Sequence, residues 1–283
     1  MSILTIGGDL RYAHMTRIAA GQSMEIASVG LENCPFPLPC APPEEISRAD
    51  ALILPNPFRA GMSLPYSAHR IALGAILAAA ERGALVLLSD TVCMPPELRA
   101  VRIVDLSEDP DYVLKNAHLT AEAAVSAASA RSQRALMDSM CLIIGYGRIG
   151  RRIATLLHAM GADTAAAARR ESVREDIARD RIAVFSMEEL PLLLPRAHFI
   201  FSTAPAEVLN EPLLRLIRPD AHLIDLASPP YGFDLELAHS LSLNAARENG
   251  LPGRCCPLSA GAALLDAVRR ALDTHLKGGS ACR

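Results

Sequence analysis

The sequence predicts an α/β chain of two domains, each a parallel sheet with helices on its faces. Three observations carry this. Short apolar runs alternate with longer helical segments from one end to the other. The length, 283 residues, exceeds the roughly 150 residues of an ordinary domain. The composition, 51% hydrophobic with no Trp and 4% aromatic residues, calls for an aliphatic core of the kind helices bury against a parallel sheet. The same figures exclude other classes. A chain this apolar is no disordered segment. A net charge of −3 gives no electrostatic reason for nucleic acid or an anionic membrane as partner. The shortage of rings also leaves little for single-stranded bases to stack on.

The first half reads as strand Ile3–Ile6, then Gly7-Gly8-Asp9, helix Arg11–Gly21 and strand Met24–Val29. Asn33–Pro43 must be loop, because its prolines cannot sit in a ladder. Ala51–Leu54 is a buried strand closed by Pro55-Asn56-Pro57, and Tyr66–Arg82 a helix with Gly83 as C-cap. Ala84–Ser89 and Val101–Asp105 are further strands. Thr120–Asp138, Ala-rich and without Gly or Pro, reads as a long connecting helix. Strands Met140–Ile144, Asp163–Ala168, His198–Ser202, His222–Leu226 and Leu241–Arg247 follow, with helices Arg148–Met160 and Ser259–His275. The expected division is a substrate domain over 1–118 and a nucleotide domain over 119–254. The final helix, about 259–276, is expected to fold back on the first domain.

No basic segment followed by a long apolar stretch opens the chain. The apolar run Ile71–Ala80 is bounded by Arg70 and Glu81, short of the about 20 residues that span a bilayer. No membrane partner and a cytoplasmic location are therefore expected. The seven cysteines (Cys34, Cys40, Cys93, Cys141, Cys255, Cys256, Cys282) contain no CxxC pair and fit neither a zinc site nor a disulfide framework. No metal is expected, and the vicinal Cys255-Cys256 is read as packing rather than redox chemistry.

The strongest chemical signal is Gly145-Tyr146-Gly147-Arg148-Ile149-Gly150. It follows a strand directly and opens a helix, the context that gives this glycine pattern meaning. Gly145 allows the tight turn, Gly147 lets backbone approach a pyrophosphate, and Gly150 lets helix and strand pack closely. Tyr146, Arg148 and Ile149 start the helix whose free N–H groups favour an anion. This is a Rossmann dinucleotide-binding turn, so the C-terminal domain is expected to be a Rossmann fold and the N-terminal one flavodoxin-like or Rossmann-like. An NAD site places Asp or Glu at the end of the second strand to hold the ribose 2′-OH. That end here carries Ala168, Arg169 and Arg170. An arginine there pairs with a 2′-phosphate as a fork, which points to NADP over NAD; the other reading is a solvated arginine pair, with Glu171 near enough to be a displaced acid. Ser202-Thr203-Ala204-Pro205 and Asp225-Leu226-Ala227-Ser228 complete the strand ends where ligands gather. Thr203, Ala204, Pro205, Asp225 and Ala227 are cofactor-binding candidates. Asp225 reads equally well as a turn or capping residue.

In this order the residues resemble the A-type subunits of dipicolinate synthase. The likeness runs from Ile6-Gly7-Gly8-Asp9 with Arg11, through Leu52-Ile53-Leu54-Pro55, to Asn116 with Thr120 and Glu122. It continues through the glycine turn, Ala168-Arg169, Thr203 with Pro205 and Leu209-Asn210, and Asp225-Leu226-Ala227-Ser228. It ends at Gly250-Leu251-Pro252-Gly253 and at Pro257 with Ala260-Gly261. Pro229, Ala123 and Ser259 depart from the pattern, where Arg, Gly and Thr are expected. The resemblance implies a two-domain dehydrogenase-like protein that works with the flavoprotein-like B-type subunit of dipicolinate synthase in the mother cell of sporulating bacteria. A homo-oligomer is left open. The implied reaction is NADP-dependent oxidation, with dehydration, of a cyclic hydroxy-tetrahydrodipicolinate to pyridine-2,6-dicarboxylate. Two substrate carboxylates need donors, and Arg11, Asn56, Arg59, Asn116, Thr120 and Ser228 are the candidates. Asp9, His118 and Glu122 are candidates to move the proton of dehydration.

Two other readings are weighed. A D-2-hydroxyacid dehydrogenase carries a catalytic Arg after the late strand and a His before the last helix. Ser228 and Leu258 stand in those places here. The other is an NADP-binding regulatory protein whose partner performs the chemistry, which the scarcity of obvious acid–base residues favours.

Overall fold

A computed structural model describes residues 1–59, 61–89 and 94–279, the last helix's side chains being described to residue 275. It forms two compact units, Met1–Asn116 with Pro252–Arg283, and Ala117–Leu251.

In the first unit β1 (Ile3–Ile6) leads into α1 (Leu10–Gly21), followed by β2 (Ile26–Val29), β3 (Ala51–Ile53), α2 (Leu73–Glu81), β4 (Leu85–Leu88) and β5 (Ile103–Asp105). The sheet order is β2-β1-β3-β4-β5, all parallel. That is the flavodoxin-like order, with its switch point between β1 and β3. β1 and β4 are buried at every residue, as expected of strands covered on both faces. One face packs Leu4, Ile6, Leu52, Val86 and Ile76. The other packs Ile3, Tyr12, Met15, Leu264 and Val268.

The second unit begins within α3 (Pro110–Ala130) and continues with β6 (Met140–Ile144), α4 (Arg148–Ala159), β7 (Asp163–Ala167), α5 (Glu171–Arg179), β8 (Ala183–Phe185) and α6 (Leu190–Leu193). β9 (Phe199–Ser202), α7 (Glu211–Leu214), β10 (His222–Asp225), α8 (Leu235–Ser240) and β11 (Asn244–Arg247) complete it. Its sheet order, β11-β10-β9-β6-β7-β8, is the doubly wound dinucleotide-binding order. The expected fold class is therefore present in both sheets. α9 (Leu251–Cys255) and α10 (Pro257–Gly279) follow. α10 packs on α1 so closely that a Cβ on Gly261 would lie 2.6 Å from the Arg11 carbonyl.

Helix boundaries differ most from expectation in two places, the last helix also running over Pro257–Gly279 rather than Ser259–His275. The connecting helix runs over Pro110–Ala130, not Thr120–Asp138. Pro110 suits a first helical position, and the Asp109 carboxylate accepts from Tyr112 N–H at 2.9 Å. At the far end Ser132 Oγ accepts from Arg134 N–H, a local turn that competes with helix. α2 starts at Leu73 rather than Tyr66. There Ser67 Oγ accepts from His69 N–H, and Ser63 bridges Arg70. Helix α5 and strand β8 have no counterpart in the sequence reading. Among the described residues Cys34, Cys40, Cys141, Cys255 and Cys256 form no disulfide. Cys93 and Cys282 lie outside the described residues.

Candidate dinucleotide site

β6, buried at all five residues, delivers the chain to Gly145, whose φ of +92° belongs to the region that favours glycine. A Cβ there would lie 2.9 Å from Thr203 Oγ1. Thr203 comes from the end of β9 and secures the turn. Its N–H donates to the Ile144 carbonyl at 2.9 Å, and its hydroxyl to the Gly145 carbonyl at 3.0 Å. Gly147 is the N-cap of α4 and supplies no side-chain cap. The first N–H groups of α4 thus stay available to an anion. A Cβ on Gly147 would meet no atom within 4 Å, whereas one on Gly150 would collide with the Gly145 carbonyl. The three glycines therefore serve the turn, the open approach and the close packing that the pattern requires.

These residues open onto a cleft of about 440 Å³. Gly145, Tyr146, Gly147, Ala168, Arg169, Arg170, Thr203, Ala204 and Pro205 line it, joined by Val173, Met187, Ala206 and Val208. The last four were missed because loop and helix residues with no polar group leave no chemical signal. Met187 and Val173 come from the elements around β8 that the sequence reading passed over.

Arg169 and Arg170 are exposed just past β7, and neither guanidinium forms an ion pair among the described residues. Arg174 on α5 reaches back and donates to the Ala168 and Arg169 carbonyls at 3.2 and 2.7 Å. It holds the shape of the turn that carries the two arginines. The Tyr146 hydroxyl donates to Asp180 Oδ2 at 2.9 Å, and Arg151 grips the same carboxylate at 2.7 Å. Arg151 holds Asp180 below the usual carboxylate range, against the opposing effect of desolvation. Burial, then Asp180, pushes the Tyr146 phenol upward, so it stays a donor. Among the described residues that line the cleft none is Asp, Glu or His.

Other expected cofactor residues do not line the cleft. Arg148 is exposed and Ile149 half-buried on α4. Asp225 is fully buried and its carboxylate is spent internally. It accepts from Ala227 N–H at 3.1 Å, Gly232 N–H at 3.3 Å and Arg247 Nε at 3.2 Å. Three donors from the next loop and strand thus converge on it, as a turn-fixing carboxylate requires. Ala227 is buried, and Ser228 beyond it exposed.

In the first unit Asp9 caps α1, accepting from Arg11 N–H at 3.0 Å, and its Oδ2 pairs with the Arg11 guanidinium at 2.9 Å. Burial opposes the Arg11 charge, but the Asp9 hydrogen bond and charge outweigh it and push the guanidinium upward. Gly253 packs so tightly here that a Cβ would collide with the Asp9 carboxylate. Half-buried Asn56 donates to the Ser89 carbonyl at 3.5 Å. Arg59 is exposed. Asn116, His118, Thr120 and Glu122 lie inside α3, not at its start. Helical spacing puts Asn116 and Thr120 on one stripe and His118 and Glu122 on another. Glu122 is exposed and the other three half-buried. Among the described residues no group of three His, Cys, Asp or Glu is placed to hold a metal, and no helix is long and apolar enough to cross a membrane.

Comparison with known proteins agrees with this geometry. Residues 113–230 match the family model "D-isomer specific 2-hydroxyacid dehydrogenase, NAD binding domain". The A-type subunit of dipicolinate synthase from Bacillus subtilis (strain 168) is 28% identical over 171 residues, a stretch covering 60% of this chain and 58% of that protein. The crystal structure of the corresponding dipicolinate synthase protein from Bacillus halodurans has a TM-score of 0.86 at 24% identity, covering 96% of this chain and 98% of that one. D-lactate dehydrogenase from Escherichia coli shares the fold at 10% identity and a TM-score of 0.63, over 98% of each chain. The resemblance read from the sequence therefore stands: this chain is similar to the A-type subunits of dipicolinate synthase, and residues 113–230 match the NAD-binding domain of D-isomer specific 2-hydroxyacid dehydrogenases.

Proposed function

We propose that the chain is the dehydrogenase component of a dipicolinate synthase, using NADP⁺ to oxidise a hydroxy-tetrahydrodipicolinate to pyridine-2,6-dicarboxylate. The similarity to the Bacillus subtilis dipicolinate synthase protein supports the substrate class. For the cofactor, the observation that carries the reading is the turn after β7. Two exposed, unpaired arginines stand there, held by Arg174, where an acid would serve NAD. The substrate loses water, a hydride and a proton, and aromatisation supplies the driving force. NADP⁺ supplies the hydride acceptor. The chain binds the pyrophosphate on the α4 N-terminus and holds the 2′-phosphate with Arg169 and Arg170. It orients the two carboxylates with donors drawn from Arg11, Asn56, Arg59, Asn116, Thr120 and Ser228. Asp9, which pairs with Arg11, His118 and Glu122 are the candidates to move the proton of dehydration. A flavoprotein-like B-type partner, a sporulation role and the mother-cell cytoplasm belong to the same proposal.

A second reading has one observation behind it. Among the described residues no Asp, Glu or His lines the cofactor cleft, which favours a regulatory NADP-binding protein whose partner does the chemistry. Purified chain, with and without its partner, decides between them. Substrate-dependent formation of NADPH is expected, and its absence in both preparations overturns the dehydrogenase reading.

A further inference from the structure

The carboxyl edge of the first sheet gathers buried donors that find no acceptor in good geometry among the described residues. α1 carries Arg11, 7% exposed, and Tyr12, 1% exposed. Asp9 takes the Nε and one terminal nitrogen of Arg11. The other terminal nitrogen makes no hydrogen bond among the described residues. Tyr12 Oη is buried without a hydrogen-bond partner in good geometry among the described residues, and so is Oγ of Ser89, the residue after β4. Asn56, which follows β3, ties itself to the Ser89 carbonyl. β1, β3 and β4 are neighbours in the sheet, so these groups gather at the side of the β1/β3 switch point where ligands collect in folds of this order. Burial, the largest influence, keeps the Tyr12 phenol protonated; the Arg11 charge and the adjacent Ser89 hydroxyl, near enough to act as a hydrogen-bonding neighbour but outside good geometry, pull in the opposite direction. A buried hydroxyl without a partner is costly, and its usual explanation is a group the protein itself does not supply.

The set comprises one guanidinium nitrogen and two hydroxyls. An ionised carboxylate only accepts, and it answers such a set directly. We infer that Tyr12, Ser89 and the remaining terminal nitrogen of Arg11 bind a carboxylate of the substrate, with Tyr12 and Ser89 its neutral donors. The inference rests on the proposed function for the identity of the acid, and on these side chains alone for the class of ligand. Asn56 positions Ser89 through its backbone, and Asp9 positions Arg11.

The test is thermal unfolding of the full chain, as wild type, Tyr12→Phe and Ser89→Ala, each with dipicolinate, malate or inorganic phosphate. Dipicolinate is expected to stabilise wild type. In each variant its binding should weaken roughly tenfold or more, the loss of one hydrogen bond to a charged group. NADP⁺ should stabilise all three proteins alike. Without ligand, Tyr12→Phe should melt no lower than wild type, because it removes an unsatisfied group. Equal stabilisation of wild type and both variants by dipicolinate overturns the inference and leaves the function untouched. Stabilisation by malate but not dipicolinate, lost in the variants, upholds the inference and overturns the substrate assignment. Stabilisation by phosphate but by neither acid, or by none of the three, overturns the inference. Should Tyr12→Phe fail to fold, Ser89→Ala decides alone.

Discussion

At the residue scale the glycine turn separates two roles that the sequence pattern runs together. Gly150 has no room for a Cβ, while Gly147 has room but borders the cleft. Gly150→Ala is expected to cost about 1–3 kcal/mol of stability by overpacking, read as a lower urea midpoint. Gly147→Ala should leave that midpoint unchanged yet weaken NADP⁺ binding by roughly tenfold, about 1.4 kcal/mol. Calorimetric titration checks it. Arg169→Ala should raise the KM for NADP⁺ by roughly tenfold to a hundredfold, the worth of a charged fork of about 1.5–3 kcal/mol. The KM for NAD⁺ should barely move, and an equal change in both would remove the 2′-phosphate assignment. The turn and its arginines were legible because spacing and charge are local properties of the chain. Asp225 was not, since a carboxylate at a strand end reads the same whether it faces a ligand or three internal donors.

At the element scale, strand positions were read more closely than helix ends. Strands here are buried apolar runs, and burial writes itself into composition. Helix ends are decided by caps and turns, as Asp109 and Ser132 show for α3. Asp109 both caps α3 and accepts from Arg270 of α10 at 2.7 Å. The Arg270 hydrogen bond, the largest influence, holds the Asp109 carboxyl below its ordinary range. Its contribution is therefore present at neutral pH and is lost as pH falls below the unfolded value, through the folded one. Asp109→Ala is expected to destabilise by about 1–2 kcal/mol at neutral pH. Urea unfolding at descending pH should show the gap to wild type closing once the carboxyl is protonated.

At the scale of the whole molecule, the C-terminal helix belongs to the first unit, although the second unit lies between them in sequence. Leu264, Leu265, Val268 and Leu272 of α10 are buried with Tyr12 and Met15 of α1. Each such side chain is worth about 1.5–3 kcal/mol, and together they rival a domain's entire stability of about 5–15 kcal/mol. Deleting the chain from Pro257 onward should therefore unfold the first unit while sparing the dinucleotide domain. Limited proteolysis should digest residues 1–116, and NADP⁺ should still stabilise what remains.

The sequence by itself determined the two parallel α/β units, the dinucleotide turn and the residues that border it. Apolar periodicity and glycine spacing act over a few residues and need no distant partner to be read. Only the tertiary structure decided which polar groups meet. Thr203 secures a turn 58 residues earlier in the chain, Asp225 is consumed by Arg247, and Tyr12 and Ser89 come to the same sheet edge with no well-placed acceptor for their hydroxyls among the described residues. A hydrogen bond is satisfied or left open by whatever the fold brings within about 3 Å, and order along the chain carries no record of that.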